Sequence, residues 1–319
     1  MKLNYWGVQL VNPYHQRPAL ILKITDALGV GGWGECSPLP ALGTETIAES
    51  TRNLNTWQGE LPHDFGKITD FCNQYNHLPA LRHGIEQALL DRLAKSKSVP
   101  LCQLLNPLLD LASSQLKFNG LIGRVPPGIA VQLALNYRSL GINCLKVKVG
   151  QETFQASYDR LLAIHQALEG QVIFRLDPNQ SWTVGDTIQY IRDLSFLKLD
   201  YLEQPLPKDD LDGLRQIRTT TGIGIAVDEG VRHLADLARL VSAQCADVVV
   251  LKPMLCGGLL SAYHLGQLAQ QQGLRVVVST SWEGQIGWGG AVHLALALQV
   301  RDPCGLSIVS HYQGNTHRS

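Results

Sequence analysis

The 319-residue sequence has no excess charge of either sign: 27 Lys plus Arg stand against 27 Asp plus Glu. Binding to a phosphate backbone draws on a basic surplus, so nucleic-acid binding as the main role is disfavoured. Long apolar runs are also missing. The strongest, Val292 to Val300, is far shorter than a membrane span. The first 18 residues lack the apolar core of a signal peptide. The seven cysteines are odd in number and include no C-x-x-C pair. In a chain this long they read as reduced, buried thiols, and the expected setting is the cytoplasm. Ten histidines show neither H-x-x-x-H nor H-x-H spacing, which argues against zinc. The glycines from Gly29 to Gly34 open no helix and so form no nucleotide fingerprint.

What is present falls into two textures. Residues 1–112 read as a small α+β capping domain, with apolar strands at Leu3 to Val11 and Leu20 to Thr25 and helices at Ile47 to Trp57 and Ile85 to Lys95. A Gly/Pro-rich segment near 30–45 reads as a lid loop over the site. Residues 113–319 carry a rhythm. Short apolar runs start near Leu116, Asn143, Gln171, Leu199, Ile223, Asp247, Leu274 and Cys304, with helical periods between them. Such runs, Val/Ile/Leu-rich without polar alternation, suit parallel strands buried on both faces. The expected fold is α/β, a (β/α)8-type barrel with an N-terminal cap. The last unit is irregular, and the C-terminal residues are candidates to return to the cap. A doubly wound open sheet uses the same local units and remains the alternative.

Five consecutive runs each end in a charged residue, at the end where a barrel keeps its active site: Lys146 and Lys148, Asp177, Glu203, Asp228, and Lys252. Taken singly, an Asp before a loop reads as a helix N-cap and a strand-end Lys as a solvated charge. Together they have no stability rationale, because buried like charges are destabilising unless a metal or substrate offsets them. Lys146 and Lys148 are two apart and share a strand face. Crowding two ammonium groups is expected to push one pKa down towards a general base. Asp177, Glu203 and Asp228 offer three hard oxygen donors without His or Cys, a set suited to Mg²⁺. Arg175 shares the face of Asp177 and is a candidate for supporting the acids or contacting substrate. Gly257-Gly258 after Lys252 reads either as an anion cradle or as a tight turn.

The Lys-x-Lys, the three acids on the next three strands and the Lys on the sixth resemble the enolase superfamily. The segment Gly32-Trp33-Gly34-Glu35-Cys36-Ser37-Pro38-Leu39-Pro40 is similar to the capping loop of its muconate-lactonising branch. The resemblance covers nearly the whole chain and implies a small-molecule carboxylate substrate held by Mg²⁺, with Lys148, Lys252 and Lys146 in catalysis. Ser279-Thr280-Ser281 resembles the Ser-rich strand ending of o-succinylbenzoate synthases, which makes Ser279 and Ser281 candidate substrate contacts. No Asp-x-Asp for a substrate amine stands near the eighth strand end, in the stretch Arg301-Asp302-Pro303-Cys304-Gly305-Leu306-Ser307-Ile308. On these grounds the expected activity is a lyase, the syn-dehydration that makes 2-succinylbenzoate for menaquinone or phylloquinone. In that scheme Lys148 is base and then acid, and Lys252 supplies charge alone. The alternatives are a dipeptide epimerase, an N-succinylamino acid racemase, and, in another class, an inactive barrel that binds a partner. Nothing in the sequence speaks to oligomeric state.

Overall fold

A computed structural model describes residues 1–11, 16–57 and 60–306. Three antiparallel strands open the chain: β1 (Lys2–Val11), β2 (Gln16–Thr25) and β3 (Gly31–Cys36), in the order β1-β2-β3. Leu20, Leu22 and Ile24 of β2 are buried, and α3 (Pro79–Ser96) packs on the sheet. Between them come α1 (Ile47–Thr56), closed by a Thr46/Glu49 capping box, and α2 (Phe65–Asn73). Helix α3 is buried on nearly every side, as suits a helix without an amphipathic stripe. Its approach to β3 requires glycine. A Cβ on Gly32 would meet Ala88 O at 2.1 Å, and one on Gly34 would meet Gly84 O at 1.9 Å. The first half of the segment expected as a lid loop is therefore a buried strand. Its glycines serve close packing rather than hinge motion.

After α4 (Leu101–Leu105) come seven parallel strands: β4 (Gly120–Ile122), β5 (Cys144–Lys148), β6 (Ile173–Asp177), β7 (Leu199–Glu203), β8 (Gly224–Val227), β9 (Val248–Leu251) and β10 (Arg275–Val278). They lie side by side in sequence order. The helices between them are α5 (Pro127–Ser139), α6 (Phe154–Ala167), α7 (Val184–Asp193), α8 (Leu211–Thr221), α9 (Leu234–Ala243) and α10 (Leu259–Gln271), with α11 (Gln285–Ala297) after β10. Among the described residues two close the barrel: Cys304 bridges to Phe118 and Gly305 to Ser279, both parallel, a short clasp at the position of the expected final strand. The open-sheet alternative is thereby excluded. The expected return of the C-terminal residues to the cap falls within 307–319, outside the described residues. Among the described residues no helix is long and apolar enough to cross a membrane.

Candidate active site at the barrel mouth

Strand register brings the charged residues together. Lys148 of β5 is paired with Asp177 of β6, and Glu203 of β7 with Ala226 of β8. Asp228 and Lys252 directly follow β8 and β9. The Lys146 Nζ donates to Asp177 Oδ2 at 2.8 Å and to Glu203 Oε1. The Lys148 Nζ donates to Asp177 Oδ2 at 2.6 Å and to Asn179 Oδ1 at 2.8 Å. The Lys252 Nζ donates to Asp228 Oδ2 at 2.5 Å. All six sequence-derived residues thus meet in one cluster, with the carboxylates of Asp177, Glu203 and Asp228 almost wholly buried.

Electrostatics divide the acids. Burial raises the Asp177 carboxyl, but Lys146 and Lys148 outweigh it and hold the group well below the usual carboxylate range. Asp228 is likewise lowered, with burial opposed chiefly by Lys252. Glu203 goes the other way, pushed up to about 8 by burial and by the carboxylates of Asp177 and Asp228, against the pull of Lys146. The expectation that crowded lysines would lower one another is reversed at Lys146. Burial lowers it, yet Asp177, Glu203 and Asp228 raise it well above its ordinary value. Lys252 is raised in the same way, burial being outweighed mainly by Asp228.

The donor chemistry fits a hard divalent cation: three buried carboxylates on neighbouring strands, one of them repelled by the other two. Among the described residues no three His, Cys, Asp or Glu side chains already enclose an ion position. Here each acid turns to a lysine instead.

Three neighbours were missed in the sequence. Asn179 stands at φ 48°, its N–H bonded to Asp177 Oδ1 at 3.0 Å, and it donates from Nδ2 to Glu229 Oε1 at 3.2 Å. Gln204 is at φ 42°, and its Oε1 accepts from the N–H groups of Asp228 and Gly230 at 3.2 and 3.1 Å. Left-handed non-glycine residues are unfavourable and concentrate where a site over-determines them. The third is Glu229, raised by burial and by Asp228, whose Oε2 has no hydrogen-bond partner. For Asn179 and Gln204 the available signal was a proline beside a polar residue after the strand: Asp177-Pro178-Asn179 and Glu203-Gln204-Pro205.

The proposed substrate contacts separate. Arg175 is corrected: its fully buried guanidinium runs down the barrel, donating to Asp200 Oδ2 at 2.8 Å and to Pro303 O at 2.5 Å, and lies 4.5 Å from the Tyr201 ring centre. It belongs to the opposite end. Ser279 Oγ donates to Gly305 O at 3.2 Å and so serves the clasp. Ser281 remains at the mouth, buried, with an unpartnered hydroxyl. Gly257 and Gly258 form a turn against α3, because a Cβ on Gly258 would strike the Glu86 carboxylate at 2.3 Å. Glu86 Oε1 accepts from Leu260 N–H at 2.8 Å and Glu35 accepts from Gly284 and Gly287 N–H at 2.6 and 3.0 Å. Two cap carboxylates thus close the N-termini of α10 and α11, the helices after the Lys252 and Ser281 loops.

A capped parallel barrel with a buried, charged mouth is the architecture of a barrel enzyme. The chain belongs to the enolase C-terminal domain-like family, whose model matches residues 129–317, and so to the enolase superfamily. It is 29% identical over 283 residues to a hydrophobic dipeptide epimerase of Enterococcus faecalis, covering 87% of this chain and 78% of that one. To an N-succinyl-L-Arg/Lys racemase of Bacillus cereus it is 24% identical over 294 residues, covering 90% and 79%. An o-succinylbenzoate synthase of Thermobifida fusca matches at 37%, but over 172 residues, 53% of each chain. The crystal structure of the Enterococcus faecalis epimerase complexed with Mg and L-Leu-L-Tyr superposes with a TM-score of 0.84 at 26% identity, covering 92% of this chain and 86% of that one. The expected lyase is therefore corrected. The relatives matched over most of their length are epimerases and racemases, which are isomerases, and the dehydrating enzyme matches only in part.

Proposed function

We propose that this protein is a Mg²⁺-dependent epimerase or racemase that inverts the carbon next to a carboxylate in a dipeptide or an N-acylated amino acid. The observation that carries the reading is the placement of the two outer lysines. In strand order Lys148 stands on one side of the row Asp177, Glu203, Asp228, and Lys252 on the other. A carbon held over that row meets one amine on each face. Inversion needs this arrangement: one lysine removes the proton and the other returns one from the opposite side.

Asp177, Glu203 and Asp228 would hold the Mg²⁺, which supplies positive charge opposite the carboxylate oxygens where negative charge develops. Asn179 holds the Lys148 Nζ on course, and Lys146 shares Asp177 with it, so neither lysine has that carboxylate to itself. Gln204 fixes the backbone of Asp228, the partner of Lys252. The missing Asp-x-Asp favours N-acylated over free-amine substrates. The test is incubation of the Mg²⁺-loaded protein in D₂O with a panel of dipeptides and N-succinylamino acids, followed by NMR. Exchange of the α-proton together with appearance of the second stereoisomer is expected. Absence of both across the panel would sink the reading.

A further inference from the structure

Lys148 and Lys252 are held by different parts of the molecule. Lys148 is fixed from within the barrel: its Nζ donates to Asn179 Oδ1 at 2.8 Å, and Arg160 of α6 donates to its carbonyl at 2.9 Å. Lys252 leads into a stretch that is buried throughout, residues 253–260, made of a turn and the start of α10. The turn is tied to Lys252 itself. Cys256 N–H donates to Lys252 O at 3.0 Å, and Gly258 N–H donates to Pro253 O at 2.9 Å. Its outer end cannot satisfy itself, because a buried carbonyl and the first N–H groups of a helix need partners from elsewhere. The cap supplies them. Arg82 of α3 donates from Nη1 to Gly257 O and to Ser261 Oγ, the latter at 3.0 Å. Glu86, one helical turn further along α3, accepts from Leu260 N–H at 2.8 Å and from Leu259 N–H. Both side chains are buried, with Arg82 Nη1 3.5 Å from Glu86 Oε2. Burial pushes the Glu86 carboxyl up to about 7, so a neutral acceptor would serve the turn as well as an ionised one.

We propose that Arg82 and Glu86 are positioning residues: through this turn the cap sets where the Lys252 ammonium stands, and so governs proton transfer on one face of the substrate. The inference rests on the proposed reaction for the meaning of the two faces, while the placement of Lys252 stands apart from it. The chain of bonds is short. It runs from Glu86 and Arg82 through Leu260 and Gly257 to the bond between Cys256 and Lys252 O, and ends on the Nζ that donates to Asp228 Oδ2 at 2.5 Å. Without the Glu86 acceptor a buried N–H is stranded, and the turn must shift to find it a partner. A proton carrier moved by a fraction of an ångström to an ångström loses its alignment with the carbon, so the step that uses Lys252 should slow roughly 10- to 100-fold.

The experiment uses the full chain loaded with Mg²⁺ and follows α-proton exchange in D₂O by NMR, separately for each stereoisomer of a turned-over substrate. The Lys252 face is the one whose exchange Lys252→Ala removes. Glu86→Ala should slow exchange on that face roughly 10- to 100-fold and leave the Lys148 face within about threefold. Glu86→Gln, which keeps an acceptor oxygen, should return the Lys252 face to within about threefold of the unmodified protein. Equal slowing on both faces, as a general loosening of the cap would give, overturns the proposal, and so does an unaffected Lys252 face. A crystal structure of metal-free Glu86→Ala gives a reading that needs no substrate. Lys252 Nζ displaced from Asp228, with Lys148 still on Asn179, supports the proposal, whereas displacement of both lysines or of neither overturns it. If the unmodified protein exchanges nothing, or Lys252→Ala treats both faces alike, the proposed reaction falls and the crystal structure alone decides the positioning. Should Glu86→Ala not fold, Arg82→Lys carries both measurements, since it keeps the charge but gives up the guanidinium fork. Slowing of about fivefold on the Lys252 face alone then supports the proposal, and equal slowing on both faces or none overturns it.

Discussion

Both ends of the barrel bury charge, and they do so on opposite terms. At the N-terminal end of the strands, Arg175 and Arg275 interlock with Asp200 and Asp302. Arg275 donates from Nε to both Asp302 oxygens at 3.1 and 3.2 Å and from Nη1 to Asp200 Oδ1 at 2.9 Å. Asp200 is pulled down despite its burial, because the two guanidiniums outweigh desolvation. Charges there match and every acid has a planar partner, so the cluster holds strands together. At the C-terminal end, three lysines face Asp177, Glu203, Asp228 and Glu229, and Glu203 and Glu229 are raised. That end is left short of positive charge. The first cluster is complete within the chain, whereas at the proposed site the acids outnumber the lysines.

The largest expected effect breaks the working end alone. Glu203→Gln should lower turnover by roughly 10³-fold while leaving the melting temperature of the metal-free protein unchanged or higher, because the substitution removes repulsion. Calorimetry beside the exchange assay checks both halves. The mirror experiment is Arg175→Met, which removes one of the two guanidiniums that Asp200 and Asp302 share and leaves Arg275 as the other. It should cost about 1.5–3 kcal/mol in urea unfolding, with kcat of the folded fraction within about threefold. Loss of turnover without loss of stability would erase the distinction between the ends.

A subtler contrast is pH. The folded-state pKa of Glu203, about 8, lies above the ordinary value of 4.5. The protonated form is thus favoured on folding. Its stabilising contribution is present below about 4.5 and is lost as pH rises through about 8. Metal-free protein should lose stability across that window more steeply than Glu203→Gln does, read from melting curves. Saturating Mg²⁺ at 100 times its Kd should restore about 2.7 kcal/mol. Identical slopes in the two proteins would show that Glu203 carries no such strain.

The same contrast explains what could be read in the sequence. A charged residue closing a buried apolar run is conspicuous, so Lys146, Lys148, Asp177, Glu203, Asp228 and Lys252 stood out, and register then brought them together. Strand starts were legible for the same reason: Leu199 begins β7, and Asn143, Ile223 and Asp247 each precede β5, β8 and β9 by one residue. Arg175 was misplaced because periodicity gives the face of a strand but not the height at which a long side chain ends. The glycines of β3 were misread because glycine marks both a mobile loop and a close approach, and only the position of α3 separates the two. Glu86 gave no signal, since its meaning depends on Leu260, 174 residues away. The reaction was misjudged because the same lysines serve a dehydration and an inversion. Residue types fix the acid–base groups, but not which of them must move a proton.

That difference is what the most direct measurement examines. Each stereoisomer of a turned-over substrate is given to Lys148→Ala and to Lys252→Ala in D₂O, and α-proton loss is followed by NMR. If the two lysines serve opposite faces, each variant loses interconversion but still exchanges the proton of one stereoisomer, and the two variants keep opposite ones. If Lys252 supplied charge alone, Lys252→Ala would retain or lose exchange for both stereoisomers together, and the two-faced account would be contradicted.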